Sequence, residues 1–330
     1  MADTLTANTT GIDERIVRYA ELLPCLDAFI DTRTPGSDKK ENFTVIGPGV
    51  SENPSQHVHI AEPHGFNIGG ARQPPGCTNS QHSHDTAEVF YVHTGQWRFD
   101  LGEHGDDAQV TMGPGELISI PTRLFRGFKN IGDDVGFLWA VLGGDDPGRV
   151  LWAPKVFDLA TEYGLVLLDD GMLIDTAKGE TIPDGKRRMP VTTREQVAEL
   201  QVFDDEELKS CVARCDDEGP RGAFESLDGV SERVLVGDGR MDWPHGFRIS
   251  ELKLAPGSVI PIHHFDIPDV WFAQSGQTRV SIGEETTVLG SGDTLTVPRN
   301  GTRKFENVGD APATLIAVRG SETAPQIHWS

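Results

Sequence analysis

A chain of 330 residues with 37% apolar content is large enough for two domains, each with its own core. Its 51 acidic residues outnumber 29 Lys and Arg, a formal charge of −22, and a field of that sign repels nucleic acid and anionic lipid. No apolar run approaches the ~20 residues that cross a bilayer, so no membrane partner is expected.

Taken from the N-terminus, the first six residues lack a basic region followed by an apolar core, so no secretory leader is expected. Asp13 as a cap, with Ile16, Tyr19, Ala20 and Leu23 on one face, predicts an amphipathic helix over 12–30, inside an extension covering 1–40. Short apolar runs then follow at 43–46, 88–92, 96–101, 116–120 and 136–142. They are punctuated by many of the 37 glycines and 21 prolines, the texture of strands joined by tight turns. These runs place a first β domain at 41–160. Residues 192–215 read as a pair of helices capped by Thr193 and Asp204, within a helical connector over 161–225. A second β domain fills 226–330. The four cysteines form no disulfide framework, and Cys211 with Cys215 completes no zinc module, which points to ordinary thiols in a reducing cytoplasm.

An internal repeat ties the two β domains together. Gly115, Pro121, Arg126, Phe128, Asn130, Gly132 and Asp133 recur 177 residues on as Gly292, Pro298, Arg303, Phe305, Asn307, Gly309 and Asp310. Upstream, Gly76, His82 and Gly95 recur 181 residues on as Gly257, His263 and Gly276. The change of offset fits a longer turn at 102–108 in the first copy.

Gly76-x5-His82-x-His84-x3-Glu88-x6-Gly95 matches the first signature motif of the cupin superfamily, and Gly115-x5-Pro121 with Asn130 resembles the second. The chain therefore resembles a bicupin of the gentisate and quercetin dioxygenase kind over about 60–145 and 240–320. That resemblance implies an all-β fold of two tandem antiparallel jelly-roll barrels.

His82 and His84 are two apart on a strand, so both rings point to one face. If that face is the barrel interior, they meet Glu88 in a set suited to one divalent transition metal: Fe(II) first, with Mn, Ni or Zn open. Metal-binding cupins usually bring one more histidine from the second motif, but that position here is Arg126. Two readings of Arg126 stay open: an anchor for a carboxylate, enolate or phenolate, or a buried ion pair with Glu88. His57 and His59 form a second His-x-His pair that could supply the missing imidazole. In the second copy His263 remains, Phe265 replaces the second histidine, Asp269 replaces the glutamate and Arg303 repeats the arginine, so that barrel is expected to be structural. His93 and His264 fall on the opposite faces of their strands.

The resemblance implies a metal-dependent dioxygenase that cleaves a C–C bond of a small phenolic, enolic or diketone substrate, with dioxygen as co-substrate. Glu88 would serve as ligand or base, and Arg126 would steady a developing oxyanion. Two alternatives stand beside it: a non-oxidative metal-dependent lyase, decarboxylase or isomerase, and a small-molecule-binding cupin without activity. Fused barrels already supply the pairing that single cupins reach by dimerising, and apolar strand edges leave a homodimer open.

Overall fold

A computed structural model describes residues 11–241 and 243–330. The first six residues, where a leader was sought, lie outside the described residues. The chain divides into two compact units. One comprises Leu23–Gly219 and Leu235–Arg248; the other comprises Pro220–Val234 and Ile249–Ser330 together with the N-terminal segment up to Leu22.

The first unit is a sandwich of two sheets. Its five-stranded sheet runs in the order Val150–Trp152, Thr78–His84, Arg126–Asn130, Trp97–Leu101, Ala108–Met112. Its seven-stranded sheet runs Val212–Ala213, Leu117–Ile120, Glu88–Thr94, Gly136–Gly143, Phe66–Gln73, Glu41–Ile46, Val58–Ile60, antiparallel except for the last pair. Trp97–Leu101 and Ala108–Met112 bury every second residue, the pattern of strands with one face on a core. Gly136–Gly143 sits between two long neighbours and is buried at every position. The second unit repeats the design with a six-stranded and a five-stranded sheet.

The motif glycines have a steric cause. Gly95 and Gly276 adopt φ of 87° and 80°, and a Cβ on either would lie 2.7 Å from the Cα of Gly136 or Ala313 respectively. The repeated asparagine is also structural. Asn130 donates to the carbonyls of Gln73 and Asp134 and accepts from Gly132 N–H, and Asn307 does the same with Leu254, Ala311 and Gly309.

The expected helix over 12–30 does not form. Ile12–Arg15 and Tyr19–Glu21 are 3-10 turns, and between them Ile16 and Val17 pair as an edge strand with Leu295 and Thr294. Two adjacent β-branched residues favour that extended backbone, and Ile12 and Ile16 bury their side chains in the core of the second unit. Arg18 and Tyr19 N–H fix the segment there by bonding the two oxygens of Asp293.

The connector is less helical than its pattern suggests. The helices Arg194–Ala198 and Asp205–Ser210 are present, each closed by a capping box on Thr193 or Asp204. A hairpin of Leu165–Leu167 with Leu173–Asp175 precedes them, and Val212–Ala213 adds to the larger sheet. Cys211 ends the second helix buried while Cys215 lies exposed beyond the strand, so the thiols share no helix face; all four cysteines are free. Among the described residues no helix is long and apolar enough to cross a membrane.

Candidate metal centre

The site of the first barrel straddles its two sheets. Thr78–His84 carries His82 and His84, and Glu88 opens the strand Glu88–Thr94 of the facing sheet. Strand alternation sends both imidazoles inward, and the turn at 85–87 brings Glu88 back over them. One ligand atom from each of His82, His84 and Glu88 lies within 4.8 Å of the others, and all three residues are buried. Glu88 Oε2 stands 3.9 Å from His82 Nε2 and 3.6 Å from His84 Nε2.

The electrostatics suit neutral ligands. Burial, reinforced by Arg126, drives the His82 ring down to about 3 and His84 well below the usual imidazole range, so neither is protonated near neutrality. His82 Nδ1 donates to the Ser80 carbonyl at 2.7 Å, which leaves the Nε2 lone pair facing the acid. The backbone on the other side of Ser80 is itself held: Ser80 N–H donates to Asp31, a fully buried carboxylate paired with the equally buried Lys40. Lys40 also donates to Asn79 Oδ1 at 2.8 Å. Lys40, Asp31 and the Ser80 backbone thus orient His82 from behind, the role outer partners play around metal ligands.

Arg126 pairs with His82 in register and directs its fork at one oxygen: Nε to Glu88 Oε2 at 3.1 Å and Nη2 to the same atom at 2.8 Å. Its remaining Nη1 donates to the Leu124 carbonyl at 3.2 Å. The guanidinium is fully buried behind Glu88 and does not line the cavity. The structure shows Arg126 as the buried ion-pair partner of Glu88.

His57 and His59 do not join the centre. His59 spends both nitrogens on backbone, Nδ1 donating to the Thr44 carbonyl and Nε2 accepting from Leu23 N–H. His57 lines an outer groove instead. Their strand Val58–Ile60 is the outermost of the larger sheet, which keeps both rings from the interior. His93 packs against Phe137 and His264 stacks on His328, each away from its barrel's histidine site.

A cavity, part of it open to solvent, reaches His82, His84 and Glu88. Phe29, Phe43, Phe90, Phe128 and Trp152 form its aromatic walls. The Trp152 ring lies 5.3 Å from the His82 ring and donates at 2.6 Å to Glu52. Burial raises the Glu52 carboxyl to about 8, so it is largely neutral beneath the wall. Phe29, Asp31, Lys40 and Glu52 were invisible to spacing arguments: they come from turns and loops outside the regular strands.

The residues present fit a divalent transition metal. Two neutral imidazoles and a carboxylate form a facial N,N,O set with open positions. Burial raises Glu88 although Arg126 pulls it down, so the carboxylate remains incompletely compensated, and among the described residues His84 Nδ1 has no hydrogen-bond partner.

Two sandwiches of one design, each with histidine, acid and arginine at matching register, define a tandem double-barrel protein. The chain is a bicupin of the cupin superfamily: the family model described as Cupin domain matches residues 71–141 and again 250–319. Oxalate decarboxylase of Lactobacillus farciminis, in its formate complex, superposes with a TM-score of 0.60 at 11% identity, over 94% of this chain and 87% of that one. A point mutant of Bacillus subtilis oxalate decarboxylase gives 0.58 at 13%, over 94% and 78%. Another structure of the Bacillus subtilis enzyme, described by its Mn(II) centres, gives 0.57 at 14%, over 94% and 78%. Mannose-1-phosphate guanylyltransferase ManC of Salmonella typhimurium strain LT2 is 27% identical over 101 residues, 30% of this chain but only 18% of that protein.

Proposed function

We propose that the chain is a divalent-metal-dependent enzyme that cleaves a C–C bond of a small oxygenated substrate without oxidising it, a lyase of the decarboxylase type. The observation that carries this reading is the buried convergence of His82, His84 and Glu88 on an aromatic-walled cavity. The likeness of fold to oxalate decarboxylases, one of them described by its Mn(II) centres, supports a lyase with Mn(II) or Fe(II) ahead of a dioxygenase.

A divalent ion held there would act as a Lewis acid on a substrate carbonyl or carboxylate oxygen. The chain's own groups do the rest. Ser80, Asp31 and Lys40 hold His82 in its Nε2-bare tautomer, and Arg126 fixes the rotamer of Glu88. Arg126 is on this reading a positioning residue. The aromatic walls exclude water from the reacting atoms, which strengthens every charge interaction there. Glu88 Oε2, the oxygen that faces both imidazoles, also takes both guanidinium bonds, so Arg126 sets the angle at which Glu88 would ligate, while Oε1 takes no guanidinium bond.

The donor set is equally that of non-haem iron oxygenases, so the dioxygenase remains the second reading. Anaerobic assay of Mn(II)- and Fe(II)-loaded protein against small keto, hydroxy and dicarboxylic acids separates the two. Undiminished turnover without dioxygen supports the lyase; turnover only with dioxygen overturns it.

A further inference from the structure

The cavity wall opposite the metal ligands carries chemistry of its own. Asn42 and Thr44 lie two apart on the strand Glu41–Ile46, so both side chains face the cavity. Gln56 Nε2 donates to Thr44 Oγ1, which turns its carbonyl Oε1 free. Among the described residues neither Gln56 Oε1 nor Asn42 Nδ2 has a hydrogen-bond partner, although both atoms are buried and Asn42 is only 7% exposed. A buried amide left unbonded costs free energy, so a donor and an acceptor both unbonded on the lining of one cavity suit a ligand that complements them. Gln56 also lines the wide groove outside, with Cys25, Arg33 and His57, which sets it at the outer end of the cavity.

Charge narrows that complement. Among the described residues no Lys or Arg lines the cavity, and Arg126 is spent on Glu88 behind it. A dicarboxylate reaching from the metal ligands to Asn42 and Gln56 would press its second carboxylate against two neutral amides, unpaired. One short enough to keep both carboxylates beside Glu88 would leave both amides unbonded.

We propose that Asn42 and Gln56 are specificity-determining residues that bind a neutral hydrogen-bonding group of the substrate, whose oxygen-bearing head sits at His82, His84 and Glu88 and which carries no charge at Asn42 and Gln56. The inference rests on the metal-dependent reading above and deepens it by naming the substrate class. A substrate of this kind uses its head oxygens for the chemistry and its neutral group for discrimination.

The test uses the full chain loaded with Mn(II) and two probes of one shape, 3,4-dihydroxybenzamide and 3,4-dihydroxybenzoate. Their catechol heads are identical, and their tails differ in charge. Calorimetry should show the amide binding at least about tenfold more tightly, since a buried unpaired carboxylate is penalised. Gln56→Leu should shrink that preference and Asn42→Asp should widen it, because an added carboxylate repels the benzoate tail, both at unchanged Mn(II) content; Gln56 is partly exposed, so its variant tolerates the change even if Asn42→Asp fails to fold. Equal or tighter binding of the benzoate, no binding of either probe to the Mn(II)-loaded chain, or an intact preference in Gln56→Leu would overturn the proposal. Failure of the wild-type chain to take up Mn(II) is read separately by elemental analysis. That outcome overturns the metal-dependent reading itself, and this proposal with it.

Discussion

The two barrels of this chain are built on one plan and end with opposite interiors. In both, the first histidine donates its Nδ1 proton two residues back, His82 to Ser80 and His263 to Pro261, and in both an arginine in register with it grips the acid. The divergence lies in what surrounds that core. Phe265 stands where His84 stands, and Arg319 occupies the position of Leu142, each paired in its sheet with the local acid. The Arg319 guanidinium lies 5.0 Å from the Phe265 ring and bonds Glu232 at 3.1 Å, while Arg303 lies 4.8 Å from the same ring. Phe224, Trp271 and Phe305 complete the filling. The second barrel thus has one imidazole, a fixed second cation and an aromatic plug where the first has two imidazoles and a cavity. A shared scaffold keeps the hydrogen bonds that orient a ligand; Phe265 removes the second imidazole, and Arg319 with Phe224, Trp271 and Phe305 packs around the first.

The largest expected effect separates the barrels by metal. Wild-type protein should hold about one transition-metal ion per chain, lost in the His82→Ala, His84→Ala double variant and kept in His263→Ala. Elemental analysis decides it, and metal retained in the double variant breaks the comparison. Next come the arginines. Arg319→Met leaves Glu232 buried and unpaired, and should cost about 3–5 kcal/mol whether or not metal is supplied. Arg126→Met should cost a similar amount in metal-free protein, but Mn(II) should restore most of its thermal stability by compensating Glu88 in the guanidinium's place. Equal melting temperatures with and without Mn(II) would show that Glu88 is no ligand.

Where the copies share scaffolding they should respond alike. Asn130→Ala and Asn307→Ala remove the same three turn hydrogen bonds, and each should cost ~1–3 kcal/mol, with the difference between them small. The last expected effect is a graded pH dependence confined to the first barrel. Burial raises the Glu52 carboxyl from 4.5 to about 8, so the folded chain holds a proton that the unfolded chain has released across that interval. Stability should therefore fall as pH rises from about 4.5 to about 8, by at most ~1.4 kcal/mol per unit, and Glu52→Gln should remove that slope. A chemical-denaturation series over this range in both proteins checks it; parallel curves would place the titration elsewhere.

Some of this was written in local spacing. The repeat, the glycines that only a left-handed turn or a close approach requires, the two capping boxes and the inward pairing of His82 with His84 all follow from residues near one another in the chain, whose geometry their neighbours dictate. So did the loss of the second histidine at Phe265. Tertiary structure alone decided the rest. Ile16 and Val17 carry a helical-looking pattern, yet an open strand edge near the far end of the chain (Leu295 and Thr294) offered β-branched residues a better place. The role of Arg126 was undecidable from sequence because both readings need the same residue; the cross-strand register that sets it against His82 directs its fork at Glu88 and away from the cavity. Asp31, Lys40, Glu52 and Gln56 reach the site from turns and loops outside the regular strands, so no spacing records which way each side chain points. Only the packing of those segments over the first barrel assigns them to it.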